Sequence, residues 1–239
     1  MRRKLIQWMG LTGVLALLSY TAAVVFSPLA YPGYNWMAQA VSDLSADTAP
    51  SRGLWNRLAA LYGVGSVVCA TCAAIFVSER KISSRLFRVG VYLFAGMNWI
   101  SNAGYAMFPL SDSGKEIASF QEIMHMVVTV LVVVFSIASL VCLIVNGCRK
   151  KCAKGIGVWA AAALAMMMAG SVGTAVAAPE YFGVMERFSV FAAVGFNAVL
   201  GVYLFRGFEG MDGFLSMPAM PDGGNAARPL RRSGGREKE

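Results

Sequence analysis

Residues 121–145 read QEIMHMVVTVLVVVFSIASLVCLIV, and after Glu122 this run contains no Asp, Glu, Lys or Arg. As a helix rising ~1.5 Å per residue it exceeds the ~30 Å of a bilayer's hydrocarbon core, and it is far longer than the ~9–11 residues of a membrane strand. The surrounding solvent is therefore expected to be lipid. The run ends at Asn146-Gly147 and is followed at once by Arg149, Lys150, Lys151 and Lys154.

Five further segments have the same character, at 5–26, 57–77, 86–108, 155–177 and 185–205. Breaker residues close them: Ser27-Pro28, Ser78-Glu79, Pro109, Pro179 and Gly207. The expected fold is all-α, a polytopic transmembrane bundle of six helices. Composition agrees, since 57% of the 239 residues are hydrophobic and 14% are charged, against roughly 25% charged in a soluble domain. The first segment is read as a retained helix and not a secretory signal, because it exceeds the ~7–15 apolar residues of a signal core and lacks a small-x-small cleavage site.

Basic residues fix the expected threading. Arg2, Arg3, Lys4, Arg80, Lys81, Arg85, Arg88, Arg149, Lys150, Lys151, Lys154 and Arg206 fall on one side, against Arg52, Arg57, Lys115 and Arg187 on the other. The richer side is expected to be cytoplasmic, which places both termini inside and the chain in the plasma membrane. The net charge of +8 is thus spent on topology, and no nucleic-acid partner is expected. Cys69 and Cys72 lie in an apolar span, where a thiol is inert and hard to reach. Cys142, Cys148 and Cys152 lie at or beyond a cytoplasmic helix end, and the outer connections hold no cysteine to pair.

Residues 1–206 are expected to form the membrane domain and 207–239 a disordered cytoplasmic tail, rich in Gly, Pro and Arg. The first outer connection, 27–56, carries Trp36, Met37, Ala40, Val41 and Leu44 at helical spacing. It is either an interfacial helix, with Tyr31, Tyr34 and Trp36 at headgroup level, or an irregular loop folded over the bundle. On the fifth span Ala165, Ala169, Gly173 and Ala177 form a small-residue row suited to close helix packing, within this chain or in a homo-oligomer.

Costly polar side chains inside spans mark a bundle interior or a wet cavity. Asn98, Asn102 and Tyr105 share a face of the third span; Glu122, His125 and Thr129 share one on the fourth; Glu186, Ser189, Ala193 and Asn197 share one on the sixth. Two readings remain open, an outward-opening polar cavity or interhelical hydrogen-bond glue with Glu186-Arg187 as an interface anchor. His125 is the single histidine, so neither a bis-histidine haem nor a multi-histidine zinc site is expected, and no cofactor or metal is assigned. His125 with Glu122 or Asp112 is the candidate acid-base pair.

Four short motifs, Ser42-Asp43-Leu44-Ser45-Ala46, Phe108-Pro109-Leu110-Ser111-Asp112, His125 and Glu186-Arg187, resemble domain-of-unknown-function family 998, a group of six-helix bacterial membrane proteins. The resemblance covers about 5–205. It implies a fold and a location, and it points to Asp43, Asp112, His125, Glu186 and Arg187 without implying a reaction. The expected function is binding of a small polar ligand or lipid headgroup by Asp43, Asn98, Asn102, Asp112, His125, Glu186, Arg187 and Asn197. The alternatives are a membrane-embedded hydrolase or transferase using His125 with a carboxylate, and a transporter.

Overall fold

The computed structural model describes residues 3–80, 84–111, 119–150 and 153–209. The described chain is helical: α1 (Leu5–Trp8), α2 (Leu11–Phe26), α3 (Arg52–Leu58), α4 (Ala60–Glu79), α5 (Arg85–Met107), α6 (Phe120–Arg149), α7 (Lys154–Val176) and α8 (Phe182–Phe205). Five stretches are long and apolar enough to cross a membrane: Leu5–Ala30, Ala60–Glu79, Phe120–Arg149, Lys154–Val176 and Pro179–Phe205. The expected third span forms α5, whose 23 residues extend ~34 Å. It falls short of the others in hydropathy because it carries Arg85, Arg88, Asn98, Ser101 and Asn102.

The long helices close a ring in which α2, α4, α5, α6, α7 and α8 each pack on the next, α8 returns to α2, and α4 and α8 meet across the middle. Along the ring the interior divides into two halves. At the end bearing Arg80, Arg85, Arg149, Lys154 and Arg206, large side chains fill the centre: Phe76, Phe87, Phe94, Leu140, Leu143, Ile156, Leu200 and Leu204 are buried together. Phe208 completes this plug at 2% exposure, its ring against Phe76, Phe87 and Tyr203. The left-handed turn at Gly207 (φ +67°) and Phe208 (φ +53°) folds the chain back to make that possible. Phe208 thus lies just past the domain boundary expected at residue 206, and from residue 210 the expected tail lies outside the described residues.

The connection between α2 and α4 is a loop folded over the opposite end of the ring, and not an interfacial helix across 36–44. It contains two 3-10 turns, Ser27–Ala30 and Ser42–Ser45, and the short α3. Val41, Leu44 and Ala46 are buried beneath it. Helical spacing of Trp36, Met37, Ala40, Val41 and Leu44 was a poor guide here because the backbone carbonyls of that segment are taken by side chains from elsewhere, as described below.

The small-residue row of α7 is packed within the chain only in part, at Gly173. Ala165 and Ala169 face outward, whereas Gly157, Ala160, Ala163, Gly170 and Gly173 are buried. A strict four-residue repeat drifts about 40° per step at ~100° per residue, so mixed three- and four-residue steps hold one face. A β-carbon on Gly170 would sit 2.3 Å from Ser189 Oγ and 2.5 Å from its backbone N, and one on Gly157 would sit 2.9 Å from the Gly147 Cα. Similar contact joins Gly10, at the break between α1 and α2, to Gly201 of α8: a β-carbon on Gly201 would lie 2.2 Å from the Gly10 carbonyl oxygen.

Gly201→Ala should therefore destabilise the protein by about 1–3 kcal/mol, as overpacking against backbone does. Gly195→Ala, whose added carbon meets nothing within 4 Å, should be neutral or stabilise by about 0.5–1 kcal/mol through helix propensity. Thermal unfolding of both variants in one detergent checks this, and equal effects would dismiss the close α1/α2–α8 crossing.

Candidate functional site

The end of the ring opposite the apolar plug is organised around α8's first turns. Arg187 Nη1 donates to the carbonyl oxygens of Trp36 (2.7 Å), Gly183 (2.7 Å) and Gln39 (3.2 Å). Arg187 Nη2 donates to the Tyr34 hydroxyl at 2.8 Å, and that hydroxyl donates to the Ala40 carbonyl at 2.7 Å. The Val184 amide, one of α8's unpaired N-terminal donors, takes the Met37 carbonyl at 3.2 Å. Two residues on, the Glu186 carboxylate accepts the Val41 amide at 2.5 Å with the Ser42 amide as a further donor. Four carbonyls and two amides of 36–42 are thus satisfied by α8 and Tyr34, which removes them from any helical ladder.

Gly183 permits this contact. A β-carbon there would lie 2.2 Å from the Gln39 carbonyl oxygen and 2.6 Å from that of Trp36. Asp43 shapes the same segment from within, accepting the Ala40 amide at 3.1 Å. Buried Ser51 donates to the Leu44 carbonyl at 2.8 Å, and Arg52 pairs with Asp47 at 2.8 Å. The Asp47 amide then reaches the Leu110 carbonyl at 3.0 Å, joining the loop between α2 and α3 to the chain leaving α5.

That second chain segment is held by α6. A carbonyl only accepts, so His125 Nδ1, 2.8 Å from the Phe108 oxygen, carries the proton, and in the neutral ring Nε2 holds the lone pair. Gln121 Nε2 donates to the Pro109 carbonyl at 2.8 Å. Both bonds satisfy carbonyls just beyond the α5 terminus, where no helical partner exists. Glu122 sits in a capping box: it accepts the Ser119 amide at 2.9 Å, and Ser119 Oγ accepts the Glu122 amide at 3.2 Å. The expected partner Asp112 lies outside the described residues.

Beneath these two clamps lies a cluster of hydroxyls. Tyr105 Oη is 3.1 Å from Thr129 Oγ1, and its ring stands 5.0 Å from that of His125. Tyr20 is buried against Tyr62, Trp55 and Phe191, and the Tyr62 hydroxyl is hydrogen-bonded to Ser101. Glu186 lies within electrostatic range of both Tyr20 and Tyr105. The structure therefore brings Asp43, Glu186 and Arg187 together at the loop, sets His125 and Glu122 on α6, and connects the two groups through Tyr105.

The asparagines are dispersed through the interior. Asn98 is buried, its Nδ2 donating to the Phe94 carbonyl at 2.9 Å. Asn102 is more exposed, and its Oδ1 occupies the place where a β-carbon of Gly63 would fall. Asn197 is buried deeper on α8, and its backbone carbonyl lies 3.6 Å from Cys69 Sγ. Ser189 turns to α7, donating to the Met167 carbonyl at 3.1 Å. Sequence reasoning overlooked Gly183, Tyr20, Tyr62 and Ser101; the last three carried a signal, as hydroxyls within apolar runs on faces that align with the polar rows. Among the described residues no three His, Cys, Asp or Glu converge as metal ligands.

Arg187→Gln and Gly183→Ala should each free the loop. Loss of ~1–2 kcal/mol raises the open fraction about 5–30-fold, read as faster subtilisin cleavage within 31–47; unchanged cleavage in both would discount the clamp. Burial holds the Tyr34 phenol above its ordinary 10.0, partly opposed by Arg187. The unfolded loop ionises first, so Tyr34's contribution is intact below about pH 10 and declines as pH rises further. Protection should follow that course in the wild type and lose this component in Tyr34→Phe.

Comparison with known proteins assigns residues 14–203 to the family described as "Protein of unknown function (DUF998)". No curated protein and no solved structure matches the chain. The motifs in the loop before α3, after α5 and at the start of α8 lie within the matched region, which spans most of the chain, and this multi-pass membrane candidate belongs to the DUF998 family.

Proposed function

We propose that the chain crosses the bilayer six times, with α5 as the third span and both termini in the cytoplasm, and that its outward end binds a small polar molecule or lipid headgroup. The threading is supported by the closed ring, in which α5 lies between α4 and α6, and by basic residues gathered at the plugged end. Binding is supported chiefly by one observation: Tyr20, Tyr62, Ser101, Tyr105, Thr129 and Glu186 cluster at the other end, under a loop that α8 holds in place. Hydroxyls and amides in such a setting orient a ligand, while the aromatic rings supply apolar contact.

In this reading Arg187, Asp43 and Glu186 position the loop, and His125 positions the start of the α5–α6 connection. The apolar plug of Phe76, Phe87, Phe94 and Phe208 favours a site open to one face over a transport path. A hydrolase or transferase is the second reading, favoured by the His125 Nδ1–Phe108 hydrogen bond, which leaves Nε2 to act as base.

Topology is checked at Cys148, which is exposed beside the basic connection. An impermeant thiol reagent should label it in inverted vesicles and not on intact cells; the reverse would refute the threading. Mass spectrometry of protein purified in mild detergent should find a copurifying polar compound, depleted severalfold in Glu186→Ala and His125→Ala. Retention in both variants would remove the binding reading. Turnover of that compound by wild type and its loss in His125→Asn, with binding kept, would select the enzyme.

A further inference from the structure

Asn197 is 1% exposed, and neither its Nδ2 nor its Oδ1 has a hydrogen-bond partner within the protein. The buried Ser66 hydroxyl is likewise without one. Desolvated amides and hydroxyls are rarely left so, because nothing replaces the water they gave up. Ser27, Ser136 and the Asn146 Nδ2 are in the same position elsewhere in the bundle, but only at Asn197 are two atoms of one side chain, the donor and the acceptor, left without a partner among the described residues.

Register places these groups at the bottom of the polar end. On α8, Glu186, Val190, Ala193, Asn197 and Leu204 follow one interior face, and on α4, Tyr62, Ser66, Cys69 and Ala73 follow another. The two faces meet where Cys69 Sγ approaches the Asn197 carbonyl, and Gly13 of α2 adds a third wall: a β-carbon there would lie 2.7 Å from Cys69 Sγ. Ser66 is one turn from Cys69 toward Tyr62, and Asn98 one turn from Phe94 toward Ser101. Phe94 stands edge-on to Phe196, the residue before Asn197, at 5.2 Å, so the apolar plug begins beside Asn197. Polar groups therefore descend from Glu186 and Tyr105, past Tyr20, Tyr62 and Ser101, to Ser66, Asn98 and Asn197.

We infer that Asn197 forms the floor of this column and anchors a small uncharged guest that both donates and accepts hydrogen bonds, of the primary amide or polyol class. The inference rests on the outward binding reading above and specifies its ligand. The unpartnered atoms are all neutral, and an amide guest matches a carboxamide donor for acceptor. A charged guest would have no counter-ion at this depth, since α2, α4 from Ala60 to Ser78, α5 beyond Arg88 and α8 beyond Arg187 carry no Asp, Glu, Lys or Arg. Asn197 lies ~16 Å below Glu186 along α8, too deep for a headgroup that stays at the membrane surface.

The test uses full-length protein in nanodiscs of neutral lipid, with its melting temperature followed against acetamide, glycerol, acetate and phosphate. Acetamide and glycerol should give a saturable rise in the wild type, acetate and phosphate none. Asn197→Leu should raise the half-saturating concentration at least about tenfold, and Ser66→Ala, a milder change, severalfold. An unsaturable rise shared by the variants is general osmolyte stabilisation and counts against the proposal, as does no rise at all, which leaves water as the occupant. A saturable effect of acetate or phosphate lost in Arg187→Gln and kept in Asn197→Leu would overturn this inference while leaving the outward site intact. Absence of both probe binding and any copurifying compound would remove both.

Discussion

A guanidinium with one nitrogen aimed at backbone oxygens and the other at a tyrosine hydroxyl organises the polar end of this protein. Segment 36–41 has neither a helical ladder nor a strand beside it, so its carbonyls need donors from elsewhere. Arg187 supplies them for Trp36 and Gln39, and through Tyr34 the same network reaches Ala40. An arginine suits this task because its charge persists at all relevant pH and its planar fork serves several acceptors from one position. Glu186 complements it by accepting amides from the same loop, so adjacent residues of α8 satisfy the opposite polarities of one peptide segment. The loop covers the hydroxyl cluster because of this pairing, and Gly183 is the vacancy that lets it lie close enough.

The two halves of the ring follow different physics. At the basic end, aromatic and branched side chains interdigitate, and the chain even turns back through two left-handed residues to add Phe208. At the other end, helix termini and loops bring many unpaired backbone groups together, and polar side chains gather there to meet them. Gln121 and His125 cap the chain leaving α5, and Ser119 and Glu122 cap the start of α6. In a low-dielectric setting such bonds are strong when made and costly when missing.

Much of this was legible in the sequence. Uninterrupted apolar runs bounded by Pro, Gly and basic residues locate α4, α6, α7 and α8 to within a few residues, because burial in lipid requires length above all else, while the first run, read as one helix over 5–26, is broken at Met9-Gly10 into α1 and α2. The 3.6-residue period grouped Asn98, Asn102 and Tyr105 on one face of α5; Asn98 is buried and Tyr105 partly so, whereas Asn102 is exposed beside Gly63. What periodicity could not supply was the partner. The spacing of Trp36 to Leu44 is compatible with a helix, but Arg187, some 150 residues later, outcompetes the local ladder for its carbonyls. On α7 only Gly173 of the expected small row is buried within the chain, since a four-residue repeat reads a line on the sequence whereas packing selects a line on the helix surface.

The same competition shapes how the candidate site is understood. Ionisable residues stood out in the sequence because charge inside a membrane is expensive, and each was a natural choice for chemistry. In the folded chain, Arg187 is occupied with carbonyls, Glu186 with amides, Glu122 with its own helix start and His125 with the end of its neighbour. These charged and titratable groups hold the frame. On the proposal that this end takes a guest, the groups left to meet it are neutral ones, the buried Ser66 hydroxyl and the amide of Asn197, neither of which has a partner within the protein. A membrane protein that satisfies its backbone with its strongest donors and acceptors leaves recognition to neutral ones, and the ligand suited to such a site is one that exchanges hydrogen bonds without bringing a charge.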